Sequence, residues 1–361
     1  MSTQNRKLFL RPISFSQVGF SLVELLVGLI IGLLATLVIM QVFAVFEGQK
    51  RSTTGNADAQ TNGSIALHSI QRDVQMAGFG LPVPSADKEN TSLKCDPSPT
   101  LDHDANPATP ALGLFPLVIT DGISDVITVR YSRVAGFGAI PVKIINSANA
   151  TEATGMAVEN NLGCQVNDLV LISRGTSCVM TKIANAHGDP DFTHLTLAAT
   201  TPSGAPLSAG SKLTCMGNWQ DYRYEVLNNQ LMLNGEPVVS EVVNVQAQYG
   251  VSDTANRGVV TSWVNATGAW AAPTVTERNR IKAIRIVVVA RNGLLEKQVV
   301  TASCTTAKGT ANNGPCAWDD ADFSAAPRID LSAGVNWQNY RYKAFETIIP
   351  LRNMLWSKDV L

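Results

Sequence analysis

Residues 18–27 read Val18-Gly19-Phe20-Ser21-Leu22-Val23-Glu24-Leu25-Leu26-Val27, and the apolar run they open continues to Phe46. From Leu25 to Phe46 only Gly28, Gly32, Thr36 and Gln41 interrupt it. As a helix rising 1.5 Å per residue, this segment spans roughly 33 Å, enough to cross a bilayer core. Ahead of it, residues 1–19 carry Arg6, Lys7 and Arg11 and no acid; behind it come Glu47, Lys50 and Arg51. The positive-inside bias therefore keeps residues 1–23 cytoplasmic and sends the remainder across the membrane.

A secretory signal peptide would carry small residues at a cut beyond its apolar core. Gln41 to Gly48 has no such pattern. A plain signal anchor fits better but leaves Glu24 without a reason. A carboxylate costs on the order of 2.5–3.5 kcal/mol at mid-bilayer and less near the interface, so it asks for a partner.

Composition bounds the rest. The chain has 361 residues, 45% of them hydrophobic and only 16% charged, which excludes wholesale disorder. Its net charge of −1 gives no excess of cations for binding phosphate backbones. The mean hydropathy of +0.08 owes its height to the one N-terminal segment, which excludes a multi-span membrane protein.

Gly19-Phe20, Glu24 and the uninterrupted apolar run, in register behind a basic leader, resemble the class III signal of type IV prepilins and type II secretion pseudopilins. In that family a dedicated peptidase cuts after the glycine on the cytoplasmic side and methylates the new N-terminal residue. The resemblance implies cleavage between Gly19 and Phe20, N-methylation of Phe20, and an assembly role for Glu24 as the fifth residue of the mature chain. The chemistry agrees. Cutting before Phe20 creates an α-amine cation at the membrane face, and in a stack of such helices the acid of one subunit can neutralise the amine of its neighbour. The leader, at 19 residues, is longer than is usual in the family.

Beyond the apolar run, Leu67, Ile70, Val74 and Ala77 recur at helical spacing, and Gly78-Phe79-Gly80-Leu81-Pro82 supplies a stop. The spacing predicts a helix over 20–77, with Gly55 and Gly63 weakening its middle by about 1 kcal/mol each. Gly28-x-x-x-Gly32 is open to two readings, a packing face or incidental glycines. After residue 78 strands dominate: 125–131, 169–173, 222–227 and 230–233 joined by Asn228-Asn229, a second turn at Asn234-Gly235, 243–249, 280–291 and 340–349. The small, polar stretches 85–110, 146–161 and 252–276 read as long loops. The fold expected is α+β and pilin-like, a long N-terminal helix, membrane-spanning over about 25–46, packed on a largely antiparallel β-sheet globular domain with long loops. The divisions are a leader over 1–19, a helix over 20–77 and a periplasmic domain over 78–361.

Residues 167–173, the run from Tyr222 through Tyr249-Gly250-Val251, the strand after Ile281 and Leu351-Arg352-Asn353 resemble the large PilW-type minor pilins. That likeness implies a low-abundance subunit at or near the tip of a type IV pilus, priming assembly and supporting twitching motility and adhesion. Its implied partners are other minor pilins and the major pilin through the N-terminal helix, the prepilin peptidase, the inner-membrane assembly machinery and a large tip adhesin. Its implied location is the inner membrane, single-pass with the C-terminal domain in the periplasm, and then the pilus. A J-like minor pseudopilin of type II secretion and a DNA-uptake subunit are the alternatives. Loss of the leader's three cations moves the net charge from −1 to −4, which argues against nucleic acid as a partner.

No catalytic set is present. The four histidines show no H-x-x-x-H pair, and there is no C-x-x-C, nucleophile elbow, Walker loop or dinucleotide fingerprint. An enzyme is not expected, nor a cofactor. Asp102-His103-Asp104 and Asp319-Asp320-Ala321-Asp322 have oxygen ligands for calcium but not the EF-hand pattern, and read as acidic turns without metal. Arg278, Arg280, Lys282, Arg285 and Arg291 alternate along a strand, which reads as a solvated face.

The six cysteines are even in number and expected in an oxidising compartment. Cys304 and Cys316 close a short loop rich in Gly and Asn and are the best-supported pair, worth about 3 kcal/mol in the chain-entropy account. Cys164 and Cys178 flank an extended strand that holds them apart, so the remaining pairs expected are Cys178 with Cys215 and Cys95 with Cys164.

Overall fold

The computed structural model describes residues 19–82, 100–104, 106–133, 140–146, 155–175, 177–186, 193–199, 205, 207–255, 257–318 and 325–353. Cys95, the acidic run 319–322, His187 and the leader's cations lie outside these residues. The chain divides into two units, Met1–Thr54 and Gly55–Leu361. One helix, Leu22–Met76, is continuous in its assigned structure across that division, so Gly55 and Gly63 do not break it. Gly78 and Gly80 then take positive φ of 81° and 97°, where a side chain would be strained, and the helix ends there.

In the second unit the helix buries a stripe of Gly55, Ala59, Gly63, Ala66, Ile70, Asp73 and Val74. The two glycines are contact points rather than weaknesses. A Cβ on Gly55 would stand 2.1 Å from Cγ of Asn292, and one on Gly63 would stand 2.0 Å from Cε2 of Phe345. The helical propensity lost at each glycine is exchanged for close approach to a sheet side chain.

Three larger antiparallel assemblies follow, beside two two-stranded ribbons, Thr100–Leu101 with Leu112–Gly113 and Cys304–Thr305 with Ala311–Asn312. The first is a five-stranded sheet in the order Glu236–Ser240, Gln230–Leu233, Trp219–Leu227, Val126–Ser132 and Leu117–Thr120. Asn228 and Asn229 join two of its strands with φ of 52° and 58°, the left-handed pair of a type I′ turn, and Asn234-Gly235 turns likewise. The second is a four-stranded sheet in the order Ser262–Val264, Val242–Val251, Ile281–Arg291 and Tyr342–Pro350. The third is a closed barrel of Lys212–Gly217, Val142–Asn146, Met156–Val158, His194–Leu197, Ser177–Ala186 and Leu169–Arg174.

The helix and both open sheets share one core, in which Ala66, Ile70 and Val74 meet Leu117, Ile127, Tyr224, Val245, Ile284 and Ile286. The barrel has its own, from Ile144, Met156, Val170, Ile172, Leu195 and Leu213. A third cluster of Val287, Val289, Ala317, Ile329 and Leu331 covers the far face of the four-stranded sheet. Ile281–Arg291 is therefore buried on both faces, which is why its interior is nearly all apolar instead of alternating.

That burial corrects the expectation of a solvated basic strand. Arg285 is 1% exposed. Its guanidinium lies between the rings of Trp263 and Trp318, 5.1 and 4.9 Å from their centroids. It donates to Gln248 Oε1 at 2.6 Å and to the Ala325 carbonyl at 2.9 Å. Burial brings its pKa down to about 10, and it stays cationic at neutral pH.

The disulfides also differ from expectation. Cys304 is bonded to Cys316, and Cys164 to Cys215, so neither Cys178–Cys215 nor Cys95–Cys164 forms. Cys215 sits opposite Val170 on one side of the strand Leu169–Arg174, and Cys178 sits opposite Ser173 on the other. Two strand spacings, roughly 9.6 Å, separate them, beyond the reach of a disulfide. They also pack on different faces, Cys215 against the barrel core and Cys178 against the shared core. Cys178 is itself disulfide-bonded.

The loop before Val126–Ser132 ties the two sheets together. Asp125 N–H donates to the Val245 carbonyl at 2.8 Å, and Ala247 N–H donates to Asp125 Oδ2 at 2.8 Å. Gly122 N–H donates to Oδ1 at 3.0 Å. Asp125 is 2% exposed, and burial pushes its carboxyl up to about 7 against the two amide donors. A carboxyl whose folded pKa is raised holds its proton better in the folded state. Its stabilising contribution is then complete below the ordinary value near 4 and is lost as pH rises toward 7. Denaturant midpoints are expected to fall between pH 5 and pH 7.5, with an effect of up to roughly 2.5 kcal/mol across that window. Asp125→Asn should remove most of that slope, and an unchanged slope in the variant would refute the assignment.

Candidate assembly surface

Gly19, Phe20 and Ser21 precede the helix in non-helical, exposed backbone, and the first helical turn closes with Leu25 N–H donating to the Ser21 carbonyl at 3.1 Å. Gly19 and Phe20, the residues of the expected junction, are thus exposed and outside regular structure. Phe20 is 81% exposed. Glu24, exposed in the first turn, lies where helix N-terminal N–H groups favour negative charge. It is one turn along the chain from Phe20, on the helix that follows it.

From Leu22 to Phe46 every large apolar side chain is exposed, and the most apolar 18-residue window has a mean hydropathy of 2.8 with none of it buried. A soluble protein's core helix would be covered, so this segment has the character of a membrane anchor or of a surface covered by other helices. Gly28 and Gly32 face open space, which leaves their close-approach surface available to another helix.

In the second unit a polar clamp holds the helix on the sheet. Asp73, fully buried, accepts from Tyr224 Oη at 2.6 Å and Tyr131 Oη at 3.1 Å, and from Arg72 Nε at 3.0 Å. Burial, with Asp73 beside them, raises both phenols, Tyr131 to about 12. They are therefore donors at any physiological pH, the state that satisfies a buried carboxylate. Tyr131 stacks on Tyr222 with ring centroids 4.4 Å apart, and Arg133 lies over Tyr222. Sequence reasoning missed this group. The available signal was an acid at position 73, between Ile70 and Val74 on the apolar stripe.

Part of the domain that receives the helix is similar to a known family. Residues 209–353 match the family model of type IV pilus-assembly protein W. That span is less than half of the chain, and it is what the chain is similar to. The matched span contains the whole four-stranded sheet, three strands of the five-stranded sheet and the barrel strand Lys212–Gly217. It also contains Phe345 and Asn292, which meet the helix glycines, and Tyr224 of the clamp. The matched span thus supplies several of the side chains that meet the helix, beside Tyr131, Leu117 and Ile127 from outside it, and its similarity points toward type IV pilus assembly. No curated protein and no solved structure matches the chain.

Proposed function

We propose that the chain is a minor pilin, a low-abundance structural subunit that primes type IV pilus assembly at or near the pilus tip and so supports twitching motility and adhesion. One combination of features carries the reading: an exposed apolar helix headed by Gly19-Phe20 and Glu24, in the same chain as a segment similar to the type IV pilus-assembly protein W family. In this reading the prepilin peptidase removes residues 1–19 and methylates Phe20. The helix waits in the inner membrane with the domain in the periplasm. The exposed face of the helix then packs against the helices of other minor pilins and the major pilin, with Glu24 meeting a neighbour's α-amine. The assembly machinery supplies the work of extraction, and a large tip adhesin is a further partner.

Deletion of the gene, scored for surface pili, twitching and protein secretion, tests this. Loss of pili and twitching with secretion intact is the expected outcome. Loss of secretion alone would transfer the chain to the type II pseudopilins.

A further inference from the structure

Position along the helix orders the domain that packs on it. Asn292 meets Gly55, Lys343 Nζ donates to Gln60 Oε1 at 2.9 Å, and Phe345 meets Gly63. Farther along, Asn353 Nδ2 donates to the Ala77 carbonyl at 3.1 Å. Tyr342–Pro350 therefore runs in the direction of the helix. Its antiparallel partner Ile281–Arg291 runs back and leaves the sheet at Asn292, beside the first buried residue of the helix, Gly55. Both ends of the connection between these strands thus lie where the helix enters the domain. Phe46, the end of the apolar run, precedes Gly55 by nine residues, about 14 Å of helix.

Two stretches of that connection are hydrogen-bonded to each other. Asn292 N–H donates to the Arg341 carbonyl at 2.8 Å, Glu296 N–H to the Asn339 carbonyl at 2.8 Å, and Val300 N–H to the Gln338 carbonyl at 2.9 Å. Leu294 N–H donates to Asn292 Oδ1 at 2.9 Å, which ties the first stretch to the residue that touches Gly55. These stretches carry large apolar side chains in solvent: Leu294 is 43% exposed, Leu295 54%, Val299 65% and Val335 84%. Single exposed apolar residues are ordinary, but a group on one pair of loops marks an interaction surface. The one acid of the two stretches, Glu296, is paired with Arg341 at 3.0 Å, and Lys297 is exposed. Apolar side chains with a surplus of cations suit a membrane interface, where buried apolar area and attraction to anionic headgroups both contribute. The headgroup layer on each side of the hydrocarbon core is about 5–8 Å deep, which leaves about 6–9 Å between it and Gly55 on an upright helix. About three extended residues reach that far, and a helix tilt of about 20° shortens the gap.

We propose that the loop pair 293–300 and 335–341 rests in the headgroup layer of the bilayer that the apolar helix crosses, with Leu294, Leu295, Val299 and Val335 in contact with lipid. The contact is a second attachment of the domain to the membrane, one that must be released when the subunit leaves it. The proposal rests on the reading of Leu25–Phe46 as a membrane anchor and is independent of which filament the chain joins.

The test uses full-length protein in vesicles of phosphatidylethanolamine and phosphatidylglycerol. A polarity-sensitive fluorophore is attached to a cysteine introduced as Leu295→Cys, Val335→Cys, Val259→Cys or Ile39→Cys, and quenching is read with lipids carrying a nitroxide on the headgroup or the acyl chain. Val259 is the control: it is 56% exposed, much as Leu295 is, but follows Val251, which pairs with Ile281 at the opposite end of the sheet. Ile39, within the apolar run, reports the anchor. Blue-shifted emission and quenching are expected at 295, 335 and 39, with neither at 259. Leu294→Glu combined with Val299→Glu should abolish the quenching at 335 and keep it at 39. Quenching at 39 without quenching at 295 and 335 would overturn the contact while leaving the anchor in place, and is the result expected if another protein covers the patch. Equal quenching at 259 and 295, or quenching at 335 unchanged by the two glutamates, would also overturn it. No quenching at 39 would overturn the anchor reading and the proposal together.

Discussion

Gly63→Leu is expected to lower the stability of the folded domain by about 3 kcal/mol or more, because its side chain must occupy the place of the Phe345 ring. The Cβ alone would stand 2.0 Å from Phe345 Cε2, and the ring belongs to a strand paired along its length with Ile281–Arg291. Neither partner can retreat cheaply: the helix is held by Asp73 one way along the chain and by Gly55 against Asn292 the other. The gain in helix propensity, about 1 kcal/mol, offsets only part of the loss. Ser64→Leu, one residue on and exposed, places the same side chain in solvent and should change stability little. Thermal unfolding of the two variants beside the wild type decides it. Equal midpoints for the two variants would mean that the glycine is not the contact point described.

Glu24→Ala is expected to leave processing and membrane insertion intact and to reduce incorporation into filaments by about 100-fold, the loss of roughly 3 kcal/mol expected when one partner of a desolvated ion pair is removed. Immunoblots of membranes and of sheared pili give the two numbers. Wild-type amounts in sheared pili would mean that Glu24 is a tolerated interfacial acid with no assembly partner.

The parts of the structure legible in the sequence were those with one dominant physical signal. An apolar run of bilayer length, helical spacing through Ile70 and Val74, a Gly-rich stop and Asn-Asn and Asn-Gly turns each correspond to an observed feature. The barrel was the main omission, with only Leu169–Arg174 among its six strands recognised. Its other strands are short or mixed, such as Met156–Val158, and all three stretches read as loops, 85–110, 146–161 and 252–276, contain strands. Closure of a barrel comes from pairing between distant segments, for which a single strand carries no local signature. The same reason explains the cysteines. The Cys304–Cys316 loop is local, whereas the partner of Cys215 depends on which side of Leu169–Arg174 its strand pairs. Gly55 and Gly63 were legible as helix-weakening residues, but their purpose lies in distant sheet residues, at Asn292 just past one strand and at Phe345 within another. Arg285 misled because alternation implies a wet face only when one side of the sheet is uncovered, and here Trp263 and Trp318 cover it.

The account rests on the chain being handled as a prepilin, and the N-terminus of the protein recovered from membranes and from sheared pili tests that most directly. Intact mass and N-terminal sequencing should find a chain beginning at Phe20 and carrying one methyl group, and Gly19 replaced by a bulky residue should leave uncut precursor in the inner membrane. A chain that still begins at Met1, or one cut beyond Gln41, would contradict it.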